Sequence, residues 1–174
     1  MKRYCLYLFI LIGISCSAEL KAQRNGTVYK GNDPAVRYTG RTLVSPDGSV
    51  AFDWVGTYLE TRFTGGKLSV KVSETGTSYY NVFVDGKLHK VVKVCGTDTL
   101  IHLVSGIDKR IHSLKIQKRS EGEFGKTTVH QFVLSGSGRL AEEPAVRTRH
   151  IEFIGNSLTC GYGTDLSLIH ISEP

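Results

Sequence analysis

The chain has 174 residues, of which 40% are hydrophobic, enough for one packed domain or for one domain and the start of another. Nineteen glycines against four prolines suit a turn-rich β chain. The net charge of +6 is scattered: Lys67, Lys71, Lys87, Lys90 and Lys93 alternate with apolar residues and read as the wet faces of strands, which argues against a nucleic-acid groove.

Residues 1–22 read as a secretion signal. Lys2 and Arg3 form its charged start, and Leu6 to Ile14 an apolar run too short to anchor the chain across a bilayer, so no transmembrane segment is expected. Two exits fit: cleavage after Ala22, leaving Gln23 first, or lipidation at Cys16, where Ile14-Ser15-Cys16 half-matches a lipoprotein box. Gly13 is a poor residue three before that cysteine, so cleavage is favoured. Cys5 and Cys16 fall inside the signal. Secretion permits a disulfide between Cys95 and Cys160, but the two lie in different units and are expected as separate small buried residues. No spacing resembles a zinc site, and no metal or cofactor is expected.

From about Arg24 to Gly40 the sequence is polar and irregular, with a turn at Gly31-Asn32-Asp33-Pro34. Short alternating runs follow. Tyr58 to Phe63 places Leu59 and Phe63 on one face. Leu68, Val70 and Val72 oppose Ser69, Lys71 and Ser73, and Tyr80, Val82 and Val84 repeat the pattern. Asp85-Gly86 supplies the positive φ of a two-residue hairpin turn, and Leu88 to Val94 returns from it. Thr99 to Leu103, Ile111 to Lys118 and Val129 to Leu134 continue the series. Period-two strands without a helical period predict a mainly β protein, an antiparallel sandwich over residues 36–138. Ser135-Gly136-Ser137-Gly138 ends it. Residues 139–149 read as a polar connector, and His150 to Ile154 as the first strand of a second unit over residues 150–164.

That second unit carries the chemistry. Ile151-Glu152-Phe153-Ile154 climbs a strand, Gly155-Asn156 turns, and Ser157 stands where a helix begins. A tight strand-to-helix turn exposes a serine Oγ and aims the following backbone N–H groups at a developing oxyanion. A bland alternative is a serine that caps a helix, and the two roles are compatible because a helix N-terminus favours negative charge.

The string Ile151 to Gly163, with Gly155-Asn156-Ser157-Leu158-Thr159-Cys160-Gly161-Tyr162-Gly163 at its centre, resembles the first block of the SGNH (GDSL-type) hydrolases, and in detail carbohydrate esterase family two, the acetyl-xylan esterase group. Tyr38-Thr39-Gly40-Arg41, Phe52-Asp53-Trp54-Val55-Gly56 and Tyr80-Asn81-Val82-Phe83-Val84-Asp85-Gly86 look like landmarks of the jelly-roll β-domain that precedes the catalytic domain in that family. The resemblance implies that Ser157 is the nucleophile and that its backbone N–H is one oxyanion donor. It places the remaining oxyanion donors, a glycine and an asparagine, in later blocks, and the histidine base in an Asp-x-x-His block near the end of the catalytic domain. The 174 residues contain none of these blocks. Asn156 stands where the wider superfamily often has aspartate, and either side chain can hold the turn.

Residues 165–174 do not continue the family pattern. Ser167-Leu168-Ile169-His170-Ile171-Ser172-Glu173-Pro174 resembles translated sequencing adapter, so this tail is read as non-native and His170 is rejected as the base of Ser157. His89, His102, His112 and His130 are expected at the surface or the sandwich edge, and His150 as structural. The resemblance implies a secreted bacterial esterase that deacetylates xylan-type polysaccharide without nucleic acid or cofactor, this chain being an inactive N-terminal fragment. The alternative is a carbohydrate-binding sandwich with Trp54, Tyr58, Tyr79 and Tyr80 as a stacking surface. Against it, Tyr80 shares the apolar face of Val82 and Val84, and Trp54 stands before a turn as a packing anchor would.

Overall fold

A computed structural model describes residues 26–141, 148, 151 and 154–160. The mainly β sandwich is what the chain forms. Ten antiparallel strands make one hydrogen-bonded sheet that folds over on itself: β1 (Gly26–Lys30), β2 (Val36–Thr39), β3 (Leu43–Val44), β4 (Val50–Phe52), β5 (Tyr58–Thr64), β6 (Lys67–Val84), β7 (Lys87–Ser105), β8 (His112–Lys118), β9 (Thr127–Ser135) and β10 (Arg139–Leu140).

The long β6–β7 hairpin belongs to both layers. Leu68 to Glu74 of β6 pair with β9, whereas Tyr80 to Val84 pair with β8. One layer therefore holds β1 and β4 against β9, with β3 beyond β4. The other holds β2 and β10 against β5, with β8 next. The corner between them lies where the β6–β7 register slips, between Val72 and Thr77 on one strand and between Thr99 and Cys95 on the other. Extra residues on both strands bend the ribbon there. The runs expected as four separate strands are thus two, and what look like turns at Thr75-Gly76 and Gly96-Thr97-Asp98 are corner bulges.

Alternation decides what faces inward. Leu59 and Phe63 of β5, Leu68, Val70, Val72, Tyr80 and Val82 of β6, and Leu114 and Ile116 of β8 are all buried in one cluster with Val129, Phe132 and Leu134 of β9. On β9 the inward residues Val129 and Phe132 are three apart, because a bulge beside Lys71–Val72 absorbs one residue and restores the phase. Asp85 and Gly86 both have positive φ, 50° and 76°, as the two-residue hairpin turn requires.

Among the described residues the strands run from Gly26 to Leu140, beyond the expected 36–138. β1 is a strand although the sequence there reads as irregular, and Arg139 and Leu140 belong to the sheet and not to the connector. Phe52 packs between Tyr38 and Tyr80, tilted against the first and edge-on to the second, with ring centres 6.3 Å apart in each pair, a favoured aromatic arrangement. Among the described residues β7 pairs only with β6, and no other strand there covers its outer edge. Exposed Lys87 and Lys93 and the register slips blunt that edge against pairing with another chain.

Candidate functional site

Gly155, Asn156 and Ser157 lead into a single helical turn, α1 (Ser157–Cys160), so the helix begins at the serine as the sequence predicts. Thr159 N–H donates to the Asn156 carbonyl at 3.0 Å, which closes the turn. The turn also explains Gly155: a Cβ there would lie 2.1 Å from Thr159 Oγ1 and 2.5 Å from its Cβ. Asn156 and Ser157 are exposed. Ile151 and Ile154 are exposed and outside any strand. The remainder of the expected strand His150–Ile154 lies outside the described residues, as do His170, the tail from residue 165 and the signal sequence.

Two polar clusters, both missed by the sequence reading, brace the sandwich. His112 is 3% exposed, which corrects the expectation of a surface or sandwich-edge residue. Its Nδ1 is 2.7 Å from Asp85 Oδ2 and its Nε2 is 2.9 Å from Asp108 Oδ1. An imidazole that meets a carboxylate at each nitrogen donates to both only as the cation. The bond to Asp85, and then that to Asp108, hold the His112 pKa above its ordinary value. The same bond with His112 is the main cause that lowers Asp85, and the Arg110 backbone N–H that of Asp108. Arg110 adds contacts at 3.2 Å to Asp108 and 3.9 Å to Asp85.

At the other end of β8, Lys118 is fully buried. Its Nζ donates to Ser78 Oγ at 3.0 Å and to the Gly125 carbonyl at 2.6 Å. Burial lowers its pKa, and the nearby Glu74 carboxylate opposes that shift. Glu74 accepts from Thr127 Oγ1, which also meets Tyr80 OH. The available signal was period two: His112 and Lys118 share the inward parity of Leu114 and Ile116.

Other expectations resolve individually. Tyr80 is in the core, 3% exposed, whereas Trp54 is 58% exposed and no packing anchor. Its loop is held by backbone bonds: Gly56 N–H donates to the Lys118 carbonyl at 2.9 Å and Thr57 N–H to the Trp54 carbonyl at 3.3 Å. These bonds fix the loop without needing the indole. Cys95 is a free, exposed thiol, which corrects the expectation of a buried one, because it lies at the corner where β7 bulges. His89 and His102 are exposed and His130 half-buried, as expected. Among the described residues no group of His, Cys, Asp and Glu could hold a metal ion, and no helix is long and apolar enough to cross a membrane.

A family model described as carbohydrate esterase 2 N-terminal matches residues 38–144. The chain belongs to this family. Its β-sandwich is the family's N-terminal domain, and the Ser157 turn follows shortly after the matched segment. The cellulase/esterase CelE of Acetivibrio thermocellus is 34% identical over 134 residues, covering 77% of this chain and 16% of that protein. An acetylxylan esterase/glucomannan deacetylase of Cellvibrio japonicus is 29% identical over 135 residues, 77% of this chain and 37% of that protein. Among solved structures, a family two carbohydrate esterase from Cellvibrio japonicus superposes with a TM-score of 0.72 at 25% identity, over 86% of this chain and 44% of that one. A family two carbohydrate esterase from Clostridium thermocellum in complex with cellohexaose gives 0.68 at 34% identity, over 74% and 39%. The esterase 2 N-terminal chain thus spans less than half the length of each of these relatives.

Proposed function

We propose that this chain is the N-terminal part of a secreted carbohydrate esterase that removes acetyl groups from xylan-type polysaccharide, with Ser157 as nucleophile. The observation that carries this reading is sequential: a carbohydrate esterase 2 N-terminal domain ends at residue 144, and an exposed serine opens a glycine-closed helical turn at residue 157. The names of the relatives supply the substrate class, and residues 1–22 supply the export signal.

The chemistry follows from that turn. Ser157 Oγ attacks the ester carbonyl while a histidine from a later block takes its proton. The Ser157 backbone N–H and further donors hold the tetrahedral oxyanion. The sugar hydroxyl leaves, and water then clears the acetyl-enzyme. Alone, the 174 residues lack the base and the remaining donors and are expected to be inactive.

The test is hydrolysis of acetylated xylan by a protein in which residues 26–164 are joined to the catalytic domain of a family member. Ser157→Ala should lower kcat by about ten-thousandfold or more with the fold unchanged by circular dichroism. Retained activity in that variant would remove Ser157 from the mechanism.

A further inference from the structure

The outward face of the β2–β5–β8–β6–β7 layer has a composition that the fold does not require. Register sets Tyr58, Gln117 and Asn81 side by side in one row, and Glu60, Lys115 and Phe83 in the next. All six are half-buried, on the side opposite the core residues Leu59, Ile116 and Val82. Lys115 Nζ sits 4.0 Å from the centre of the Tyr58 ring and 6.0 Å from that of Phe83, so one ammonium is held between two rings. A groove of about 440 Å³ crosses this face, bounded by Phe83, Lys115, Ser113 and Glu60, within the size range of small-ligand sites.

The charges on this face are unbalanced. Alternation along each strand puts Arg62 and Lys93 on it with Lys115, while Arg37 holds Glu60 at 2.8 Å and Arg119 reaches Asn81 Oδ1 at 3.5 Å. Asp85, at the rim, is committed to His112 and the Ser113 backbone. Among the described residues the face therefore carries a surplus of cations around aromatic rings and amides. An extended sheet with strands about 4.8 Å apart presents these groups as a ladder, which suits a linear polymer better than a compact ligand.

We propose that this face is a non-catalytic binding surface for a polysaccharide bearing uronic-acid carboxylates. Phe83 and Tyr58 offer rings to the apolar faces of pyranose residues. Gln117, Asn81 and Ser113 exchange hydrogen bonds with hydroxyls. Lys115, with Arg62 nearby, pairs with the carboxylates. A neutral glycan would leave that surplus of positive charge unused. The inference takes only its polymer class from the proposed function and does not involve Ser157.

The experiment is calorimetric titration of the chain, with its signal removed, with glucuronoxylan, with the same polymer after reduction of its carboxyl groups, and with polyglutamate. The expected result is binding to glucuronoxylan, about tenfold or more weaker for the reduced polymer and for polyglutamate, and weakened by added salt. Phe83→Ala should weaken binding to both glycans, and Lys115→Gln should abolish the preference for the acidic one, with circular dichroism unchanged. If Phe83→Ala does not fold, Lys115→Gln carries the test. No binding, equal binding of the reduced polymer or of polyglutamate, or indifference to Lys115→Gln would overturn the proposal. Binding is read without hydrolysis, so its failure leaves the esterase reading to the Ser157→Ala assay.

Discussion

His112 and Lys118 close the two ends of one strand from the inside. Both occupy inward positions of β8, 3% and 0% exposed, with Leu114 and Ile116 between them. Each is a cationic side chain where alternation calls for an apolar one, and each ties a loop to the sheet. His112 joins the β6–β7 turn to the β7–β8 loop through Asp85 and Asp108, and Lys118 joins β6 to the segment before β9 through Ser78 and Gly125.

The His112 clasp makes stability depend on pH in two directions. The His112 pKa is raised on folding, so its contribution is complete below the ordinary histidine value of about 6.5 and is lost as pH rises through the higher folded value. Asp85 and Asp108 are lowered, so theirs is present above the ordinary carboxylate range and lost as pH falls through the lower folded values. Urea unfolding from pH 5 to 9 should show stability declining on the alkaline side, and His112→Asn should flatten that limb. At pH 6 the substitution should cost about 1–2 kcal/mol. An unchanged alkaline limb in His112→Asn would mean that the clasp is not the titrating unit.

Lys118→Met keeps the length of the side chain and removes its donors. Ser78 Oγ and the Gly125 carbonyl then lose their partner inside the sandwich, at a cost of about 1–3 kcal/mol. The Lys118 pKa is lowered by burial, so in the wild type the penalty of charging it eases as pH rises toward the ordinary lysine value of about 10.4. Lys118→Met should remove that alkaline gain. Chemical denaturation at two pH values checks both effects, and a variant as stable as wild type would show that Ser78 and Gly125 find other partners.

Gly155→Ala should disturb the Ser157 turn through Thr159, whose Oγ1, Cβ and Cγ2 are the three atoms nearest to an added Cβ. In the catalytically complete protein it should lower kcat by about a hundredfold by misplacing Ser157. Thr159→Gly added to it should recover part of that loss. Steady-state hydrolysis of an acetyl ester by the single and double variants decides the matter: no recovery in the double variant would locate the constraint elsewhere.

Cys95 should react with a maleimide in the folded protein at a rate similar to that in urea, because the thiol is exposed. Mass spectrometry of the labelled chain under native conditions checks this. A large protection by folding would contradict the placement of Cys95 at the corner.

The apolar lattice was legible because alternation is a local signal: Leu59, Phe63, Val70, Val82 and Leu114 each announce their face within five residues. The Asp85-Gly86 turn was legible for the same reason. β1 was not, because four of its five residues are exposed and the strand exists only through its ladder with β9. The continuity of β6 and β7 was hidden by corner bulges that use the same glycine and polar residues as turns. His112 and Lys118 were on the correct parity, but their partners lie up to forty residues away in sequence. The exposure of Trp54 was not legible, because it depends on how a loop returns to the Lys118 carbonyl.

The sandwich takes in the chain and releases it at the same place. Gly26 is opposite Ser135 at the end of the β1–β9 ladder, and a short turn carries Ser135 to Arg139 of β10. Tension between whatever flanks the domain would therefore bypass most of its core. A pull would peel β1 from β9 one hydrogen bond at a time, as a zipper opens, and not shear the ladder as a whole.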